Sequence, residues 1–166
     1  MSLFGNPDYR WRETYLILFP AEHRPTVTAV RKAFASVREH LELIDVRGSE
    51  EELLESLTVH SPEDYSAMDV SYVDGEEVTE QLPELVQELR QNAADEEERG
   101  QVKLVEKSSA RLDVMHFQKR SAGESEEEDE DAFMDPGGVL RVLALLGRVC
   151  RGVAVDPQSG VIVSSL

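Results

Sequence analysis

The sequence contains only one cysteine, Cys150, among its 166 residues. A single cysteine excludes a disulfide within the chain, and a domain of this length buries enough surface to fold without one. This cysteine usage is compatible with a reducing compartment, so we expect a cytoplasmic location. Residues 1–8 also lack the basic start and apolar stretch of a signal peptide, which agrees with that expectation.

Aromatic residues and long hydrophobic runs are also scarce. Aromatic residues make up 6% of the chain and hydrophobic residues 40%, so we expect a core built mainly from Leu and Val. The longest apolar segments are interrupted by Arg141, Arg148 and Arg151 and fall far short of the roughly 20 residues that a membrane span requires. We therefore expect no membrane partner.

Basic side chains are half as numerous as acidic ones. The chain has 17 Lys and Arg against 34 Asp and Glu, which gives a formal net charge of −17. Affinity for nucleic acids depends on basic side chains that neutralise phosphates, so this balance disfavours DNA and RNA. An acidic surface instead favours solubility and basic partners.

The densest run of acidic residues lies in the C-terminal third. Between Ser121 and Asp135 the sequence has eight acidic side chains and no basic ones. Like charges at this density repel one another, which predicts a solvated loop at about residues 119–134. The apolar segment from Pro136 to Val163 follows and is expected to complete the core. We therefore predict an N-terminal tail (1–12) and a single α+β domain (13–166) that carries the acidic loop.

Hydrophobic periodicity predicts the order of the elements. A continuous apolar run at 13–19 indicates a central strand covered on both faces. The other predicted elements are a helix that begins after Thr26, a strand at 41–47, a capping-box helix at 49–55, a strand at 67–73, a helix with Pro83 in its first turn, an apolar helix that begins at Pro136, and a closing hairpin at 152–163. This order predicts an α+β fold: a mixed or antiparallel sheet with helices mainly on one face, in a ferredoxin-like or related split-βαβ sandwich.

Two short segments resemble each other, 67–72 (Ala-Met-Asp-Val-Ser-Tyr) and 111–116 (Arg-Leu-Asp-Val-Met-His). They are either strands in equivalent or adjacent positions of a structural repeat, or similar strand compositions that arose by chance. Asp69 and Asp113 occupy the same place in the two segments.

No pattern in the sequence indicates catalysis, a cofactor or a metal ion. The four histidines have no neighbouring His, Cys or carboxylate pair at metal-ligand spacing. Cys150 lies at the end of an apolar helix, which favours a small core residue over a reactive thiolate. The acidic run lacks the oxygen ligands and the central glycine of an EF-hand loop. We therefore expect no catalytic, cofactor-binding or metal-binding residues.

The sequence favours a noncatalytic interaction or regulatory protein, comparable to an inhibitor, an immunity protein or a chaperone, that binds a basic partner. The predicted contact residues are Glu126, Glu127, Glu128, Asp129, Glu130 and Asp131, and the acidic segment 95–98 is a second exposed candidate. The alternative is an enzyme or small-molecule-binding protein with a pocket on the sheet face, lined by Asp69, Tyr72, Asp113 and His116. The oligomeric state stays open, and self-association through a sheet edge is a third possibility.

Overall fold

A seven-stranded open sheet forms the centre of the molecule. The computed structural model describes residues 6–37, 41–62, 65–119 and 137–163. The strands are β1 (Tyr9–Phe19), β2 (Glu42–Gly48), β3 (Leu54–Ser61), β4 (Ser66–Asp74), β5 (Ala110–Lys119), β6 (Val153–Asp156) and β7 (Val161–Ile162). Their order is β2-β3-β4-β5-β1-β6-β7, and all neighbouring strands are antiparallel. The antiparallel α+β fold is confirmed, whereas the ferredoxin-like or split-βαβ arrangement is not.

Within the described ranges, four α-helices cover the two faces of the sheet: α1 (Val27–Ala35), α2 (Glu76–Asn92), α3 (Glu96–Glu106) and α4 (Gly137–Cys150). Helices α1 and α4 pack against Ile17 and Phe19, whereas α2 and α3 pack against Leu18 and Val153. Successive strand residues point to opposite faces, so the helix pairs lie on opposite sides. We call these sides the α1–α4 face and the α2–α3 face. The expectation of helices mainly on one face is wrong, because β1 buries apolar side chains on both sides.

Helix α4 and the hairpin that follows it complete the core, as the apolar C-terminal segment predicts. Five side chains of α4 are almost fully buried on the α1–α4 face: Val139, Val142, Leu143, Leu146 and Cys150. The chain then turns at Gly152, where a Cβ atom would lie 2.7 Å from the carbonyl oxygen of Leu18. Strands β6 and β7 pair as the predicted closing hairpin.

The segment 49–55 is a turn followed by a strand, so the helix predicted there is wrong. The Ser49 hydroxyl accepts a hydrogen bond from the Leu53 backbone N–H at 3.2 Å, and Glu52 has a φ of +63°. A serine side chain satisfies a backbone donor in a turn as readily as at a helix start, which explains why the local pattern was misleading. Strand β3 then begins at Leu54 and pairs with β2.

The acidic segment 95–98 lies at the start of α3. The Asp95 carboxylate accepts a hydrogen bond from the Glu98 N–H at 2.9 Å and so caps α3. Negative side chains in the first turn are favourable because they oppose the positive end of the helix dipole. Helix α2 also begins earlier than predicted, at Glu76, and Pro83 lies inside it.

The N-terminal part of β1 extends into the predicted tail. Strand β1 begins at Tyr9, so the last residues of the predicted 1–12 tail pair with β5. Residues 120–136 lie outside the described part of the chain, and with them nearly all of the predicted acidic loop. The similar segments 67–72 and 111–116 belong to β4 and β5, which are adjacent, and Asp69 and Asp113 face Met115 and Ser71 of the neighbouring strand.

Candidate functional site

The four residues proposed for a sheet-face pocket divide between the two faces. Tyr72 is the cross-strand partner of Leu112, and His116 is that of Met68; both partners belong to the core of the α1–α4 face. The side chains of Asp69 and Asp113 point to the α2–α3 face, because they occupy the alternate positions of the same strands. The structure therefore places Tyr72 and His116 on one face and Asp69 and Asp113 on the other, and does not bring all four residues together.

His116 is bound to a carboxylate that the sequence pattern did not indicate. Its Nδ1 atom lies 2.8 Å from Glu13 Oε1, and the histidine is only 4% exposed. The Tyr15 hydroxyl donates a hydrogen bond to the same oxygen at 3.3 Å. Burial, followed by the negative charge of Glu13, raises the pKa of Tyr15 to about 12. Among the described residues, His116 Nε2 is buried without a hydrogen-bond partner.

Tyr72 has a structural environment at the other end of the same face. Its hydroxyl donates a hydrogen bond to Asp74 at 3.0 Å, and the Arg24 guanidinium lies 3.9 Å from the centre of its ring. Burial, and then the hydrogen bond to Asp74, raise the pKa of Tyr72 to about 12. The Tyr72 side chain therefore has structural contacts at both its hydroxyl and its ring.

Both strand aspartates on the opposite face already have partners. Asp69 is 8% exposed and accepts a hydrogen bond from the Thr58 hydroxyl at 2.7 Å. Asp113 accepts one from Arg111 Nε, also at 2.7 Å. A cleft of about 190 Å³ lies beside Asp69 and is lined by Asp45, Arg47, Ser56, Leu57, Thr58, Asp69, Val70, Ser71 and Met115. This volume is below the roughly 300–1,000 Å³ of most small-molecule sites.

The outer surface of α2 and α3 is strongly acidic. Residues 76–107 contain ten acidic and four basic side chains, a net charge of −6. Nine of the acidic side chains are exposed: Glu76, Glu77, Glu80, Glu84, Glu88, Asp95, Glu96, Glu97 and Glu106. Arg90 of α2 forms an ion pair with Glu106 of α3, which links the two helices. Within the described residues this surface is therefore an acidic layer on two well-packed helices.

A larger cleft lies between α2 and the sheet beside this acidic layer. Its volume is about 410 Å³, within the usual range of binding sites. The lining residues are Leu16, Leu18, Val78, Gln81, Leu82, Glu84, Leu85, Glu88, Arg111 and Pro157. Arg111 donates hydrogen bonds to Asp113 and to Gln81, so its charge is already compensated at the wall of the cleft.

The sequence pattern did not predict this cleft. Leu82, Leu85, Val86 and Leu89 recur at helical spacing, which marks the apolar side of α2. The spacing of Glu84 and Glu88, one helical turn apart, was the available signal for an acidic rim. The floor could not be predicted, because Leu16 and Leu18 come from a strand that is distant in sequence.

Cys150 is fully buried at the end of α4, and burial raises the pKa of its thiol to about 12. The thiol lies within the core of the α1–α4 face, which confirms its interpretation as a core residue. In the described ranges, no group of three or more His, Cys, Asp or Glu side chains is arranged to hold a metal ion.

The fold and the two clefts define an α+β protein with an acidic helical layer, and comparisons with known proteins add no family to this description. No family model, no curated protein and no solved structure matches the chain. Within the part of the chain that the structure describes, no helix is both long and apolar enough to cross a membrane.

Proposed function

We propose that this protein is a noncatalytic interaction or regulatory domain that binds a basic partner protein through its α2–α3 layer. The observation that carries the proposal is the net charge of −6 on residues 76–107, with nine exposed carboxylates on two packed helices. An inhibitor, an immunity protein or a dedicated chaperone would use such a surface. The cytoplasmic location and the absence of nucleic acid partners belong to the same proposal.

The acidic side chains of this layer project from packed helices, which makes the layer a better candidate for partner binding than isolated surface charges. Helix α2 packs on the sheet through the buried side chains of Val78, Leu82, Val86 and Leu89, which fixes the positions of its outward-facing glutamates. Charges of one sign on a fixed surface attract an opposite partner over about one Debye length, roughly 10 Å at 0.1 M salt. Binding should therefore be fast and should weaken as the salt concentration rises.

The proposal can be tested with a lysine-rich peptide as probe. In the test variant Glu84, Glu88, Glu96 and Glu97 are all changed to Gln. Four exposed ion pairs contribute about 0.2–1 kcal/mol each, so the affinity should fall by about fourfold to several hundredfold at low salt. Fluorescence anisotropy at several salt concentrations measures both the affinity and its salt dependence.

A matched variant separates local contacts from overall charge. Glu22, Glu50, Glu51 and Glu55 are also exposed and lie outside the α2–α3 layer, and their replacement by Gln changes the net charge by the same amount. We expect this control to retain most of the affinity. Equal losses in the two variants would contradict a specific role of the layer, and salt-independent binding would contradict a charge-dominated contact.

The acidic run remains part of the proposal without structural support. Glu126, Glu127, Glu128, Asp129, Glu130 and Asp131 lie outside the described residues, and their contact with a partner stays a prediction. Replacing these six residues by Ser and Gly tests their contribution in the same assay.

A second candidate function is a small-molecule site or an enzyme that uses the His116–Glu13 pair. The buried Nε2 atom of His116 without a partner favours this candidate, because a histidine oriented by a carboxylate is suited to proton transfer. A thermal-shift screen with small molecules tests it. A ligand that stabilises the wild type and fails to stabilise the Glu13→Gln variant would support this function.

A further inference from the structure

The cleft between α2 and the sheet combines an apolar floor with an acidic rim. Leu16 and Leu18 of β1 form the floor, and Leu82 and Leu85 of α2 form one wall. Leu18 and Leu82 are 2% and 8% exposed, whereas Leu16 and Leu85 are only partly buried. The partly buried leucines leave apolar surface in an accessible cavity of about 410 Å³.

The rim places negative charge next to that apolar surface. Glu84 and Glu88 line the cleft and are exposed, and they lie one turn apart on the same side of α2. Glu77 and Glu80 continue the same stripe toward the helix N-terminus by helical periodicity. The cation of the lining, Arg111, has a side chain only 12% exposed and is bound to Asp113 and Gln81. A ligand therefore meets an acidic border around an apolar cavity.

The extent of the charge identifies the ligand as a polypeptide. Helix α2 has 17 residues and is about 25 Å long at 1.5 Å per residue. The stripe from Glu77 to Glu88 covers about 16 Å of this length at 1.5 Å per residue. Charges spread over that distance match cations spaced along a polypeptide, and negative charge repels nucleic acids. A polypeptide segment with Lys or Arg on both sides of an apolar residue complements the rim and the floor together.

We propose that this cleft receives one apolar side chain of a basic polypeptide segment, while flanking Lys or Arg side chains pair with Glu84 and Glu88. This inference rests on the proposed function and adds the anchoring site and the sequence character of the partner. The acidic layer supplies attraction over a distance, and the cleft supplies the short-range apolar contact that selects among basic partners.

Two peptides test the anchor on the unmodified protein. Both are lysine-rich and of equal length and charge; one has a central leucine, and the other has serine at that position. Burial of a leucine side chain should make the leucine peptide bind about tenfold tighter or more. Isothermal titration calorimetry at low and moderate salt measures both affinities.

A matched pair of variants locates the effect in the cleft. Leu85→Gln makes the wall polar without changing the charge or introducing a poor helix former. Leu104→Gln makes the same change at a leucine of α3 that is 55% exposed and outside the cleft. We expect Leu85→Gln to abolish the preference for the leucine peptide and Leu104→Gln to retain it. The peptide comparison on the wild type needs no variant, so it remains decisive even if Leu85→Gln unfolds.

The outcomes distinguish this inference from the proposed function. Equal, salt-sensitive binding of both peptides would overturn the anchor and leave charge-based binding intact. A leucine preference that survives in Leu85→Gln would also overturn it. Absence of binding by both peptides at low salt would contradict the anchor and the proposed function together.

Discussion

At the scale of single residues, Glu13 and His116 form a partly buried polar contact that joins β1 to β5. Removing the carboxylate would leave His116 Nδ1 buried without its partner. A buried donor without an acceptor costs about 1–3 kcal/mol. We therefore predict that Glu13→Ala lowers the free energy of unfolding by about that amount in urea denaturation.

Glu22→Ala is the control for this prediction. Glu22 is exposed in a short 3₁₀ turn at Ala21–His23, and its removal should change the stability by no more than about 0.5 kcal/mol. Equal effects of the two substitutions would show that the contact between Glu13 and His116 contributes nothing measurable.

The raised pKa of Tyr15 predicts that the protein loses stability in alkaline solution. Its pKa is about 12 in the folded protein and 10.0 as the ordinary value. Below pH 10 the folded and the unfolded chains both keep the phenolic proton. Between pH 10 and 12 the unfolded chain releases the proton while the folded chain keeps it, so this contribution to stability is lost as the pH rises. Tyr15→Phe should therefore reduce the decline of the unfolding free energy between pH 9 and 12.

The alkaline decline is measured by urea denaturation at several pH values. Tyr65→Phe, at a position that is 66% exposed, is the matched control and should leave the decline unchanged. A Tyr15→Phe variant with the same pH dependence as the wild type would contradict the prediction.

Two glycines show how the elements are joined and how they are stabilised. At Gly152 a Cβ atom would lie 2.7 Å from the Leu18 carbonyl oxygen and 2.9 Å from a side-chain carbon of Ile17. Gly152→Ala should therefore push β6 away from β1 and lower the free energy of unfolding by about 1–3 kcal/mol.

Gly100 gives the opposite expectation. It lies inside α3, and an added Cβ would meet no atom within 4 Å. Alanine favours a helix interior over glycine by about 0.5–1 kcal/mol, so Gly100→Ala should raise the stability. Thermal denaturation measures the stability of the Gly152→Ala and Gly100→Ala variants, and stability changes of the same sign in both would contradict these predictions.

The elements that the sequence predicted correctly share a strong periodic pattern. The apolar run of β1, the stripe of α1 and the all-round apolar α4 each depend on residues close in sequence. The pattern misled where one side chain has two uses: the Ser49 hydroxyl stabilises a turn here, whereas the same spacing of serine and glutamate also begins helices. Local hydrogen bonding alone cannot distinguish these uses.

At the scale of the whole molecule, the C-terminal segment contributes to both layers of the core. Helix α4 buries its side chains on the α1–α4 face, and the β6–β7 hairpin supplies Val153, Val155 and Ile162 to the α2–α3 face. A chain that ends at residue 135 would expose apolar surface on both faces of the sheet. We predict that this truncated chain shows no cooperative urea transition by circular dichroism, whereas the full chain does.

A cooperative transition in the truncated chain would change the interpretation of the core. A cooperative transition in the chain 1–135 would mean that β1 to β5 with α1 to α3 form an independent unit. The contacts that α4, β6 and β7 make on the two faces of the sheet would then contribute less to the free energy of unfolding than their burial indicates.

The sequence by itself determined the α+β class, the antiparallel hairpin at the end, the central position of β1 and the core role of Cys150. These properties depend on hydrophobic periodicity and on residues near one another in the chain. Only the tertiary structure decided that helices cover both faces, that His116 meets Glu13, and that α2 forms a cleft over Leu16 and Leu18. The physical reason is that strand order and cross-strand register bring together residues whose separation in sequence leaves no local signal.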